Sequence, residues 1–234
     1  MKNLSSLLSL PIAYLLGSIP SAVWIAKLAK GIDIREYGSK NAGLTNVFRV
    51  LGWKPAIPVV VIDLLKGFLA PTIAAVWNAH TVAAGGPDFF WLPLAAGVLV
   101  ILGHSFTCFA GFRGGKGVLT ALGVFLALMP VTALVCLAVW ALLTFTTKYV
   151  SVGSISACVC LAVLPVIGFL KPDIYPDKIS AGLLILCLAV AVFVIVKHRA
   201  NIVRLLNGTE NGFGSKRRTP KDELPAAGFS KKEL

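Results

Sequence analysis

The sequence predicts an all-α fold: a polytopic membrane helical bundle of seven transmembrane helices, with the N-terminus outside and the C-terminus cytoplasmic. Three observations predict it. Of the 234 residues, 57% are hydrophobic and 14% charged, against roughly 25% charged in soluble domains, and mean hydropathy is +0.84. The apolar residues gather into runs close to the 20 or so that a helix needs to cross the hydrocarbon of a bilayer. The 22 Lys and Arg, against 10 Asp and Glu, fall mostly in alternate connecting segments, the bias that marks cytoplasmic loops.

Five runs are immediate: residues 4–26, 55–77, 89–110, 152–170 and 179–196. The first follows a single Lys2, and "GSIPSAVWIAK" offers no small-residue cleavage site, so it reads as a retained span. The remaining piece, 118–147, is interrupted by Met129 and Pro130 and is too long for one ordinary span. Charge resolves it. Two spans here put Lys27, Lys30, Arg35, Lys40, Arg49, Lys54, Arg113, Lys116, Lys148 and every Lys and Arg from Lys197 onward on the inner side. Lys2, Lys171 and Lys178 are left outside, with Lys66 inside a span. A single span would move Lys148 and the tail cations outside, against the positive-inside bias. Residues 1–212 thus form the membrane domain. Residues 213–234, "FGSKRRTPKDELPAAGFSKKEL", read as a basic, disordered cytoplasmic tail held near anionic headgroups. The five cysteines show no C-x-x-C spacing, so neither a zinc site nor a disulfide framework is expected.

This topology gathers four polar segments on the inner face: residues 35–54, 103–117, 147–154 and 197–212. In the second, "FRGGKG" combines glycines that let backbone amides converge on an anion with the charges of Arg113 and Lys116. The span after it adds a helix N-terminus. The segment is not a nucleotide P-loop, because Ala110 and Gly117 stand where that motif needs Gly and Ser or Thr. "GHSFT" ends in Thr107 rather than the glycine of a nucleophile elbow. The first segment clusters Arg35, Ser39, Lys40, Asn41, Thr45, Asn46 and Arg49, donors suited to a polyol phosphate. It reads equally as a solvated loop with a short amphipathic helix over 44–51. His198 and Asn201 share one helical face at spacing i, i+3, as an acid-base and oxyanion pair or as interfacial residues. Asp63 and Lys66 lie about 12 to 16 Å into the second span, at a spacing that allows an ion pair or a transporter's coupling site. On these residues alone, an enzyme acting on phosphate esters and a small-anion transporter or lipid flippase both stand.

The segments "GSIPSAVWIAK", "DIREYGSKNAGLTNVFRVLGWK", "DLLKG", "GHSFTCFAGFRGGKGV", "KYVSVGSI" and "HRANIVRLLNGTE" resemble, in order, the signatures of the bacterial acyl-phosphate-dependent glycerol-3-phosphate acyltransferases, the PlsY family. The resemblance implies a seven-span enzyme of the bacterial inner membrane with its active site facing the cytoplasm. It would transfer an acyl group from acyl phosphate to the sn-1 hydroxyl of glycerol 3-phosphate, with no cofactor, no metal and no nucleic-acid partner. It further implies catalytic roles for Ser39, Arg49, Lys116, His198 and Asn201. Substrate-binding roles fall to Asn41, Thr45, Asn46, His104, Gly114, Gly115, Gly117, Ser151 and Ser154. "GLTN" stands for the commoner "GATN", Lys148 for an arginine, and "FTCFAGFRGGKG" for "FPVFLKFKGGKG". Because acyl phosphate is already activated, such an enzyme needs only to orient the hydroxyl, stabilise an oxyanion and screen departing phosphate.

Overall fold

The computed structural model describes residues 5–212, so the expectation for the tail 213–234 lies outside the described residues. Among the described residues all regular structure is helical, and it begins with a broken span. A 3-10 turn, Ser5–Leu8, leads into α1 (Ser9–Gly17), which stops before Pro20, and α2 (Ser21–Lys30) continues beyond it. Pro20 has no N–H to donate back into the helix, and the break frees carbonyls inside the bundle. Two distant side chains answer them: Lys66 Nζ donates to the Ile19 carbonyl at 2.9 Å, and Thr107 Oγ1 donates to that of Ser18. Non-helical backbone at membrane depth survives where neighbouring groups satisfy it in this way.

The short helix expected over 44–51 is present as α3 (Leu44–Leu51), followed by α4 (Trp53–Ala83) and α5 (Leu92–Ser105). The ambiguous piece divides where the sequence suggested, at Met129, into α6 (Val118–Leu128) and α7 (Pro130–Thr147). Then come α8 (Val150–Leu170), α9 (Ala181–Lys197) and α10 (Arg199–Leu206), the last two meeting at a 56° bend. Five helical stretches are long and apolar enough to cross a bilayer, or six if the bent α9–α10 pair is one span. The 11 residues of α6 reach about 16 Å, roughly half of the hydrocarbon thickness.

Close backbone approach holds the helices together. A Cβ on Gly67 would strike the Thr120 carbonyl of α6, and one on Gly123 the Leu64 carbonyl of α4, so the two helices meet at reciprocal glycines. Lipid tails are as apolar as leucine, so membrane helices associate through small residues that permit such contact. The main core joins α4 to α9 through residues such as Ala74, Val100, Val124, Met129 and Cys187. A second cluster, including Val23, Ile34, Val47 and Val59, seats α3 and the loop before it on α2 and α4. Leu65, Leu142, Phe145 and Ile185 lie outward and exposed, as a lipid-facing surface requires.

Candidate active site

Asn46 organises the segment that joins α2 to α3. Its side chain is 1% exposed. Nδ2 donates to the carbonyls of Ile34, Tyr37 and Asn41 at 3.0, 3.0 and 3.1 Å, while Oδ1 accepts from the Ser39 amide at 2.9 Å. The loop closes this tightly because Gly38 adopts φ +58°, where a Cβ would meet Asn46 Oδ1. Asn46 lines the cavity below, yet its polar atoms shape the loop that presents Ser39 and Asn41. Arg49 stands one turn further along α3. Arg35 ties the same loop to the second: it holds Asp33 at 2.6 Å and donates to the Ala110 carbonyl at 2.6 Å. The guanidinium keeps the Asp33 carboxyl below its ordinary range.

The glycine segment departs from expectation. The amides of Gly114 and Gly115 donate to the carbonyls of Ser105 and His104, at 3.2 and 3.1 Å, rather than converging on an anion. Glycine is needed there for space, since a Cβ on Gly114 would land on the His104 carbonyl and one on Gly115 on the His104 ring. The part that reaches the cavity is Lys116 to Leu119, where Gly117 at φ +86° turns the chain into the N-terminus of α6. Arg113 is exposed and lies apart from the cavity-lining residues.

At the α9–α10 junction, His198 Nδ1 lies 2.8 Å from the Val194 carbonyl. A carbonyl only accepts, so Nδ1 carries a proton, and in the neutral ring Nε2 is then the acceptor. Asn201 accepts from Lys116 Nζ through Oδ1 and donates through Nδ2 to Glu210 at 2.7 Å. Glu210 also accepts from Ser151 Oγ at 3.0 Å and Arg204 Nε at 2.7 Å, and its side chain is 5% exposed. It reaches this position because Gly208, at φ +66°, reverses the chain after α10. Glu210 and Arg204 were not among the residues expected to form the site. The signal for them is a lone carboxylate following three cations, Lys197, Arg199 and Arg204. Ser154, by contrast, donates to its own helix at Val150, 2.9 Å away.

These residues enclose one cavity of about 230 Å³. Ser39, Asn41, Thr45, Arg49, Lys116, Ser151, His198, Asn201 and Arg204 form its polar mouth, with His104 and Asp63 in its wall. Its other end is apolar, walled by Phe125, Ala133, Leu137, Trp140, Leu161 and Val190 of α6 to α9. Burial lowers the Lys116 pKa to about 8, offset in part by the Glu210 carboxylate and deepened by Arg204 and Arg49. Positive charge therefore exceeds negative at the mouth. The arrangement admits a ligand with an anionic head and a hydrocarbon chain.

Comparison with known proteins gives a consistent result. Residues 7–208 match the family model described as glycerol-3-phosphate acyltransferase. The chain is 45% identical over 202 residues to a glycerol-3-phosphate acyltransferase of Fusobacterium nucleatum, covering 86% of this chain and 95% of the relative. To one of Chlorobaculum tepidum it is 43% identical over 223 residues, covering 88% and 96%. Its fold is similar to crystal structures of PlsY (YgiH), an integral membrane glycerol 3-phosphate acyltransferase. The glycerol 3-phosphate form has TM-score 0.76 and 39% identity, and the lysophosphatidic acid form 0.73 and 38%; each match covers 90% of this chain and 96% of that one. Sequence, fold and a cationic mouth opening on an apolar arm agree: the chain belongs to the glycerol-3-phosphate acyltransferase family.

Proposed function

We propose that this membrane enzyme transfers a fatty acyl group from acyl phosphate to the sn-1 hydroxyl of glycerol 3-phosphate, yielding lysophosphatidic acid and phosphate. The observation that carries the reading is a cavity whose mouth holds Arg49, Lys116 and Arg204 while its far end is hydrocarbon. Two anions meet at the mouth, and the acyl chain lies in the arm. The hydroxyl oxygen adds to the acyl carbonyl carbon, its proton passing to an acceptor in the mouth, for which His198 Nε2 is the unprotonated ring nitrogen. The resulting oxyanion collapses, the bond from carbonyl carbon to phosphate oxygen breaks, and phosphate departs. Lys116 and the first amides of α6 neutralise charge on phosphate, Arg49 with Ser39 holds glycerol 3-phosphate, and Asn201 keeps Lys116 in place. Preplaced donors of this kind act most strongly where water is excluded.

In this reading the chain crosses the bacterial inner membrane seven times, α6 completing the count, with its mouth toward the cytoplasm. The placement of the basic residues supports that orientation. Purified protein in detergent, supplied with acyl phosphate and glycerol 3-phosphate, should release phosphate and form lysophosphatidic acid in equal amounts. Absence of both products would reject the activity. A reporter fused to the C-terminus and active only on the outer face would reject the orientation.

A further inference from the structure

The buried charges behind the mouth have an organisation that a simple ion pair does not require. Asp63 and Lys66 are 2% and 3% exposed and pair at 2.9 Å within α4. One cation neutralises one carboxylate. Yet Asp63 Oδ1 also accepts from Ser21 Oγ of α2 at 2.7 Å, and His104 Nδ1 of α5 stands 3.6 Å from the same oxygen. That last distance is an electrostatic contact rather than a hydrogen bond. Lys66 meanwhile donates to the Ile19 carbonyl in the break of the first span. One carboxylate oxygen therefore gathers groups from α2, α4 and α5.

His104 connects this cluster to the mouth. Its backbone carbonyl accepts from the Gly115 amide at 3.1 Å, and the neighbouring Ser105 carbonyl accepts from Gly114 at 3.2 Å. The imidazole lies so close beneath the turn that a Cβ on Gly115 would meet Nε2. One edge of the ring thus faces Asp63 and the other supports Gly115, the residue immediately before Lys116. Asp63 and His104 both form part of the cavity wall.

We propose that Asp63 is a positioning residue for the glycine-lysine turn, acting through His104. Its carboxylate orients the imidazole by that contact, the ring and the His104 carbonyl hold Gly115, and Gly115 sets where Lys116 presents its ammonium to phosphate. The proposal rests on the anion-binding role of Lys116 in the reading above, and its test includes a measurement independent of turnover.

The informative variant is the double replacement Asp63→Asn with Lys66→Met, which removes both charges together and so avoids stranding one in the core. The expected result is a folded protein whose KM for acyl phosphate rises about tenfold or more while kcat changes less, the pattern of a misplaced binding group. Peptide-resolved labelling of Lys116 by an amine-reactive reagent should also lose the protection that inorganic phosphate gives the unmodified protein. His104→Gln, which leaves the Asp63–Lys66 pair intact, should reproduce both effects, and combining it with the double replacement should add little, because the residues act in one chain. If the double replacement does not fold, His104→Gln decides by itself. Unchanged KM with unchanged phosphate protection in the folded variants, or effects that multiply when combined, would overturn the proposal. If the unmodified protein shows no turnover, the acyltransferase reading fails, and the labelling comparison still decides the positioning role.

Discussion

Two lysine-carboxylate clusters lie in one wall of this molecule and differ in what stands between the charges. In α4, Lys66 touches Asp63 directly at 2.9 Å, both nearly fully buried. At the mouth, Lys116 reaches the Glu210 carboxylate through the amide of Asn201, whose oxygen takes the lysine and whose nitrogen takes the acid. In the direct pair each charge neutralises the other, because an unpaired charge in the core is costly. The spaced pair leaves the ammonium located but incompletely neutralised, free to receive an anion. The inserted Asn201 separates a charge that supports structure from one that supports binding.

The largest expected effect removes the spaced lysine. Lys116→Ala should lower turnover about 10²- to 10³-fold, the scale seen on deleting one preplaced donor, with the thermal unfolding midpoint little changed. Wild-type turnover in purified protein would break the comparison. Next in size, Glu210→Gln should lower kcat/KM about 10- to 100-fold, since a charge-assisted hydrogen-bond network loses its anion. It also carries a pH signature. With the Lys116 pKa near 8, the protonated form that binds phosphate is present below that value, so kcat/KM falls as pH rises through it. The carboxylate raises this pKa, so its removal should move the decline to lower pH. A decline that stays in place would show that Glu210 does not hold Lys116. Ala133→Phe, at the apolar end, should raise KM for long-chain acyl phosphates about tenfold while sparing short chains, the few kcal/mol that pocket volume discriminates. The smallest effect sharpens the contrast within α8. Ser151→Ala removes a donor to Glu210 and should reduce kcat/KM several-fold, roughly the value of one hydrogen bond, while Ser154→Ala, whose hydroxyl is turned back onto Val150, should stay within about twofold.

What could be read from the sequence was whatever depends on near neighbours in the chain. Helix runs, the division at Met129 and Pro130, the short α3 and the i, i+3 relation of Asp63 to Lys66 all follow from local pattern, and the structure contains each. His198 and Asn201 likewise share the cavity, as their spacing implied. What escaped depends on partners far along the chain. The run 4–26 gave no reason to stop at Ser18, because the groups that make a break tolerable are Lys66 and Thr107. The glycines of 114 and 115 were expected to face an anion, but their amides close onto the end of α5, a pairing set by how the turn folds back. Glu210 was not among the expected site residues, because Gly208 is what returns it to Asn201 and Arg204. Asn46 was expected to bind substrate; it lines the cavity, and its work of shaping the loop was not legible.

The broken first span also bears on how the chain is inserted. The carbonyls of Ile19 and Ser18 wait for side chains that lie 47 and 89 residues later in the sequence. During synthesis, the broken first span therefore enters the bilayer before its partners Lys66 and Thr107 have been made and can settle only after α4 and the end of α5 have emerged. A nascent chain halted before Thr107 should remain beside the insertion machinery or be degraded. Biogenesis of this chain has a built-in order in which the first span to be made is among the last to be completed.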